Sequence, residues 1–276
     1  MHHHNPAADQ SSNPPANAGN SNRPFSGKVA LVVGGGTGMG LATARALVAQ
    51  GASVVISGRR ESVLRAAVAE IDPGGRHAAY VAGDIGVAST SRLAVAEAVA
   101  RFGGLDLLLN SAGVFLSKGF LEHIEADLDQ HLSVGIKGTF FACQAAISEL
   151  KKRGGGAIVN VGSVIGTVAL PHIQTSALSV AKAGVHMLTR NLAIEFARDR
   201  IRVNAIAPAM VATPLYADLM SPAQFAEALP GMNSQYPLGR IGRVDDVSEL
   251  VLFLFSDRSS WMTGTVVPLD GGVTAS

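Results

Sequence analysis

The sequence predicts an α/β fold, a doubly wound parallel sheet in a single domain. Three observations predict it. Short runs of Val, Ile, Leu and Ala alternate with longer stretches that carry apolar residues at helical spacing. The short runs are apolar throughout instead of alternating with polar residues, which marks strands covered on both faces. A glycine cluster, Gly34-Gly35-Gly36-Thr37-Gly38-Met39-Gly40, separates the first run from the first helical stretch. Strand, helix and strand in this order build a parallel sheet with right-handed crossovers.

Residues 1–24 stand apart. They are rich in Asn, Pro, Ser, Ala and Gly, with almost no large apolar side chain. Such a segment cannot bury enough surface to offset its ordering entropy, so a disordered tail is expected. It has no long apolar core and does not read as a secretory signal. His2-His3-His4 is either a tag remnant or a metal-binding tract, and no metal site is assigned. The folded domain is expected over 25–276.

Residues 28–33 form the first predicted strand, and 38–50 a helix with Leu41, Ala44, Leu47 and Val48 inward. A strand follows at 53–57 and a helix at 61–71. Strands are expected at 78–82 and 105–109, with a helix over 89–102 between them. Later strands fall at 157–161, 202–206 and 265–269. Long helices fill 126–151 and 179–198, the second with Ala181, Val185, Leu188, Leu192 and Phe196 on one face.

Charge and composition exclude several classes. The net charge is +1 and no basic stripe stands out, so nucleic acid is not an expected partner. No apolar run is long enough to span a bilayer, so no membrane partner is expected. The single cysteine, Cys143, rules out an internal disulfide and suits the reducing cytoplasm. It lies within an apolar helical pattern and reads as a packing residue.

The glycine cluster carries the first chemical signal. Glycines let the backbone turn tightly and approach a pyrophosphate, while the helix N-terminus offers free N–H groups to the anion. At a first strand-to-helix turn this pattern points to a dinucleotide. The second strand ends at Ser57-Gly58-Arg59-Arg60, with two arginines where an NAD site usually carries an acid. Guanidinium groups match a 2′-phosphate in charge and geometry, which favours NADP(H) over NAD(H).

Several further motifs appear in order. They are Gly83-Asp84-Ile85, Asn110-Ser111-Ala112-Gly113, Ile201-Arg202-Val203-Asn204-Ala205-Ile206-Ala207-Pro208, Thr213-Pro214 and Asp270-Gly271-Gly272. Together with the Gly34, Gly38, Gly40 spacing they resemble the short-chain dehydrogenase/reductase family, a Rossmann-fold family, over about 27–272. The resemblance implies that Gly34, Gly36, Thr37, Gly38, Met39 and Gly40 bind the cofactor, with Arg59 and Arg60 at its 2′ side. It implies that Asp84 and Ile85 flank the adenine, and that Asn110, Ala112 and Gly113 line the cofactor from the fourth strand. Pro208, Val211 and Thr213 should approach the nicotinamide. It also implies a small-molecule substrate and a homotetramer built through the two long helices and the last strand.

The family reduces carbonyls with an Asn-Ser-Tyr-Lys set, in which the phenol donates a proton and the lysine grips the ribose. Ser163 matches the serine and Lys182 the lysine. The tyrosine belongs one helical turn before the lysine, where Leu178 stands, and the asparagine position holds Gly135. His172, in the loop between Ser163 and Lys182, is the candidate alternative acid because imidazole titrates near neutrality. Tyr216 and Tyr236 lie in the expected substrate lid, whereas His131 and His186 read as surface or packing residues on helices. Dienoyl-CoA reductases within the family also lack the tyrosine at this place and reduce a conjugated double bond. The expected function is therefore NADPH-dependent reduction of a small apolar carbonyl, imine or conjugated enone with an atypical proton donor. The alternative is a cofactor-binding protein without turnover, or a non-redox use of the fold.

Overall fold

The computed structural model describes residues 23–171, 173–215 and 220–275. Apart from Arg23 and Pro24, the expected N-terminal tail lies outside the described residues. So do two of the candidates, His172 and Tyr216.

In chain order the main elements are β1 (Val29–Val33), α1 (Gly38–Ala49), β2 (Ser53–Gly58), α2 (Glu61–Ile71), β3 (Ala78–Ala82), α3 (Ala88–Phe102) and β4 (Leu107–Asn110). They continue with α4 (Glu125–His131), α5 (Thr139–Lys152), β5 (Gly156–Val161), α6 (Ser176–Glu195), β6 (Ile201–Pro208), α7 (Pro222–Asn233), α8 (Val244–Phe255) and β7 (Val266–Leu269). The strands form one seven-stranded sheet in the order β3-β2-β1-β4-β5-β6-β7. Every pairing is parallel, with Val33 opposite Ser57 on one side and Asn110 on the other. This is the doubly wound, Rossmann-like α/β architecture expected from the sequence.

The unbroken apolar strands have the predicted cause. Along β1, Ala30 and Val32 enter a core with Ala44 and Leu47 of α1, Leu64 and Ala67 of α2, and Val247 and Val251 of α8. Val29, Leu31 and Val33 enter the opposite core with Ala94 and Ala98 of α3 and with Ala142, Ala146 and Leu150 of α5. Alternate side chains point to opposite faces of a strand, so a sheet with helices on both sides needs apolar residues at every position.

Several boundaries differ from expectation, and α7 and α8 fall where the sequence reading placed no element. The predicted helix over 126–151 is α4 and α5 joined by a π-helical stretch, Leu132–Gly138. The wider turn holds Val134 and Gly135 in the interior. Helix α6 begins at Ser176, three residues earlier than the apolar spacing implied. Strand β4 begins at Leu107, two residues later than expected and directly after Asp106. Its carboxylate accepts the Val29 N–H at 2.9 Å and the Arg153 guanidinium at 3.2 and 3.1 Å.

Asp106 is buried and clasps β1, β4 and the end of α5 at the edge remote from the glycine turn. Removing it leaves the Val29 N–H and one guanidinium without their acceptor. Asp106→Ala is expected to lower stability by roughly 2–3 kcal/mol. Urea unfolding checks this; a midpoint within error of the parent would refute it.

Candidate active site

The carboxyl ends of β1, β4, β5 and β6 share one rim of the sheet, and the strand order reverses between β1 and β4. Open α/β sheets bind ligands at such a switch point. The turn after β1 is tied to β2 by Gly34 N and Gly35 N, which donate to Ser57 O at 2.8 and 3.2 Å. Gly34 takes φ +79°, and a Cβ there would lie 2.6 Å from the Ala112 nitrogen. A Cβ on Gly40 would collide with the Gly34 carbonyl oxygen. The turn therefore packs bare backbone against β4 on one side and against helix α1 on the other.

Thr37 occupies the N-cap of α1 without a side-chain cap bond, and the first turn carries no acidic residue. The first-turn N–H groups are thus left for an external acceptor, and the helix dipole favours an anion there. Gly38 lies opposite Thr213, with a Cβ position 3.3 Å from the Thr213 methyl carbon. The structure so brings Gly34, Gly36, Thr37, Gly38, Met39 and Gly40 together with Ala112 and Thr213. This cradle fits a dinucleotide diphosphate.

Arg59 and Arg60 follow β2 and are exposed, with Arg60 at the N-cap of α2. Asp84 folds onto its own turn, accepting Gly86 N at 2.8 Å. The Ile85 side chain is buried in the core, against the bare position of Gly138. Asn110 closes β4: its amide donates to Asn160 Oδ1 at 2.9 Å and to Cys143 Sγ at 3.3 Å. Its own Oδ1 is buried without a partner. Burial pushes the Cys143 thiol up to about 12, so it stays protonated and acts as a packing residue with a weak polar contact.

Ser163 follows β5 in extended backbone, and its hydroxyl donates to Pro208 O at 3.2 Å, at the end of β6. Lys182, on the buried face of α6, donates from Nζ to Val161 O at 2.7 Å. Burial lowers its ammonium from 10.5 to about 8. A Cβ on Gly113 would lie 3.9 Å from that Nζ, so the segment after β4 meets α6 here. Leu178, one turn before Lys182, is buried. Gly135 lies across from Ala181, with only 3.2 Å to spare for a Cβ. Val211 is buried in an isolated bridge to Gly242, and Met210 N donates to the Tyr236 hydroxyl at 3.3 Å.

Of the two readings the sequence left for His186, the structure favours packing: the side chain is buried and its ring lies against the Ser163 loop. Its position one turn beyond Lys182, and the missing side chain at Gly162, were the available signals. His131 does pack inside, its Nδ1 at 2.7 Å from Asp127 O.

Known proteins resemble this chain over most of its length. The family whose model matches residues 34–274 is described as enoyl-(acyl carrier protein) reductase. A 2,5-dichloro-2,5-cyclohexadiene-1,4-diol dehydrogenase of Sphingobium indicum is 36% identical over 90% of this chain and 96% of its own. A cis-4-hydroxycyclohexanecarboxylate dehydrogenase of Sinomonas cyclohexanicum is 37% identical over 91% of this chain and 98% of its own. A crystal structure of a short-chain type dehydrogenase/reductase from Mycobacterium marinum superimposes with TM-score 0.85 at 30% identity, covering 91% of this chain and 97% of that one.

The burial of Lys182 has a consequence for stability. Its folded pKa lies below its unfolded value, so between about pH 8 and 10.5 the native state binds fewer protons than the unfolded chain. Stability should rise with pH through that window, and the burial penalty, on the order of 3 kcal/mol, should be fully present below it. Lys182→Met lacks this term. Urea unfolding of both forms from pH 7 to 10.5, without cofactor, should show the parent gaining stability relative to the variant. Parallel curves would show that the amine is not held in a charge-disfavouring site.

Proposed function

This chain belongs to the short-chain dehydrogenase/reductase family, and we propose that it is an NADPH-dependent oxidoreductase working without a phenolic proton donor. Its substrate in this reading is a small apolar carbonyl, imine or conjugated enone. Family membership carries the coarser statement: an NAD(P)-dependent oxidoreductase acting on small alcohols or carbonyls. One observation carries the finer one. Ser163 and Lys182 stand on the same rim as the glycine cradle, while the helical position before Lys182 is a buried leucine.

When bound, NADPH supplies the hydride that reduces the substrate carbon. The chain's own residues do the rest. The 34–40 turn and the α1 N-terminus hold the diphosphate, and Arg59 and Arg60 select the 2′-phosphate. Asp84 and Ile85 border the adenine, and Asn110, Ala112 and Gly113 the strand side. Lys182 holds the nicotinamide ribose and brings positive charge to the site. Pro208, Val211 and Thr213 set the nicotinamide face. The Ser163 hydroxyl exchanges its bond to Pro208 O for one to the substrate oxygen. Leu178 has no proton to give, so the proton comes from His172 or from solvent, in the latter case after the charge has been spread by delocalisation.

The two cyclohexane-ring dehydrogenases among the relatives support a small ring substrate. Exposed apolar side chains on α5 and α6 (Phe140, Val180, Met187, Ile194), together with Trp261 before β7, support a homotetramer through those elements. Among the described residues no helix is long and apolar enough to cross a membrane. A cytoplasmic location belongs to the same reading.

NADPH titration followed by a screen of ketones, imines and enones at the nicotinamide absorbance tests the proposal. Tight NADPH binding with no oxidation of it by any substrate would favour a cofactor-binding protein without turnover. Leu178→Tyr restores a phenol one turn from Lys182. It is expected to raise kcat for simple ketones by about 10²-fold or more, within the range of a general acid. No gain with cofactor still bound would place the difference elsewhere in the pocket. Arg59→Ala is expected to weaken NADPH about tenfold while leaving NADH nearly unchanged, as loss of one charged phosphate contact implies. Equal losses for both cofactors would remove the NADP preference.

A further inference from the structure

Beside Ser163 lies a buried titratable ring to which the proposed mechanism gives no role, that of His186. We propose that His186 is a positioning residue whose neutral ring holds the Ser163 peptide and so sets where the Ser163 hydroxyl points. The inference rests on the reading of Ser163 as the group that meets the substrate oxygen.

Geometry carries it. His186 is 2% exposed and sits on α6 one turn beyond Lys182. Its Nε2 accepts the Ser163 N–H at 3.4 Å, and its Nδ1 lies 3.3 Å from Thr167 Oγ1. The loop makes room for the ring on both sides. A Cβ on Gly162 would collide with Nε2, and a Cβ on Gly166 would come within 2.8 Å of Cε1. Two glycines therefore bracket Ser163 at the places where a side chain would expel the imidazole.

The hydrogen-bond partners dictate the ring's state. A peptide nitrogen only donates, so Nε2 must be the bare nitrogen and Nδ1 must carry the hydrogen, toward the Gly166 backbone and the Thr167 hydroxyl. The surroundings agree. Burial disfavours the cation, and Lys182 and Arg190 flank it along the same helix, while only the Gly166 backbone favours it. No carboxylate contributes. The ring thus stays a neutral acceptor through the physiological range.

The rest of the loop is already tethered. Gly162 N donates to Ile206 O at 2.8 Å, and Gly166 N to Ser163 O at 3.0 Å. The Ser163 N–H is the remaining backbone group of that residue, and His186 takes it. Helix α6 thereby fixes Ser163 through His186 and presents Lys182 from the same face. The two polar groups that remain of the family's set are held by one rigid element. Displacing a reacting group by about 1 Å can cost on the order of 10²-fold in rate, so such a strut matters.

The test uses the full chain, labelled with ¹⁵N-histidine. Long-range ¹H–¹⁵N correlation, with the His186 signal assigned by its loss in His186→Gln, should show the Nδ1–H tautomer from pH 5 to 9. An Nε2–H tautomer or an imidazolium in that range would overturn the proposal, and this measurement needs no variant to function. His186→Phe keeps ring shape without the acceptor. Hydrogen exchange in the peptide containing Ser163 should accelerate at least about tenfold there, with β1 unaffected. Using a ketone turned over by the parent or by the Leu178→Tyr background, His186→Phe should lower kcat about ten- to a hundredfold, with NADPH affinity within about twofold. His186→Gln, whose amide oxygen can accept the same N–H, should recover most of both losses. A phenylalanine variant equal to the parent, or a glutamine variant no better than phenylalanine, would reduce His186 to packing. If no variant oxidises NADPH with any substrate, the proposed function fails; tautomer and exchange still decide whether the ring holds Ser163.

Discussion

Helix α6 lies against strand β5, and the polar side chains on its buried face each bond to that strand or to the segment just beyond it. Lys182 donates to the Val161 carbonyl, His186 accepts the Ser163 N–H, and Thr189 accepts from the Asn160 side chain. Asn160 in turn accepts from Asn110 on β4. A line of polar contacts therefore runs from α6 through β5 to the strand beside the glycine turn. In the low dielectric beneath the rim each bond is stronger than in water, and each group left unpaired would be costly. Sliding or rotating α6 would break several of these bonds together, so the helix has one acceptable position. Ser163 and Lys182 take their places from that packing.

The glycine turn depends on the same economy of space. Gly34 and Gly35 give their N–H groups to Ser57 O, which closes the turn against β2 and aims the next stretch at helix α1. Because Gly34 has no side chain, β4 can bring Ala112 against the turn. The parallel register that sets Val33 beside both Ser57 and Asn110 then places all three strand ends at one level. The crevice results from backbone packing alone, and its chemistry is added by the few side chains that reach it. For this reason a chain can lose a catalytic side chain and keep the binding surface.

The sheet was legible in the sequence because burial on both faces writes itself into unbroken apolar strands, and the turn was legible because φ +79° at Gly34 and close approach at Gly40 demand glycine. Boundaries were less legible where a side chain has two tasks. Leu105 continues the apolar pattern of β4 across Asp106, yet the Asp106 carboxylate clasps Val29 and Arg153, and β4 starts after it. The π-helical stretch over Leu132–Gly138 keeps helical spacing and so leaves no mark in the periodicity. At the rim, Ser163 and Lys182 were readable from local motifs. The partnership of His186 with Ser163 spans the whole connection between β5 and α6, and only the fold brings the two together.

The leucine at position 178 is best understood through what does not depend on it. Lys182 is anchored by a carbonyl of β5, and Ser163 by His186 and Pro208, so neither position requires a phenol between them. In the proposed function, binding is therefore separate from proton delivery. Losing a general acid raises a barrier by roughly 3–5 kcal/mol, which a simple ketone would feel in full. A substrate that spreads charge from its oxygen over a conjugated system feels less, because the proton can arrive after the hydride. What such a substrate still requires is positive potential near the oxygen and a fixed hydroxyl to meet it. In the proposed function those are the two features that α6 would hold in place, and they favour a conjugated or otherwise stabilised acceptor.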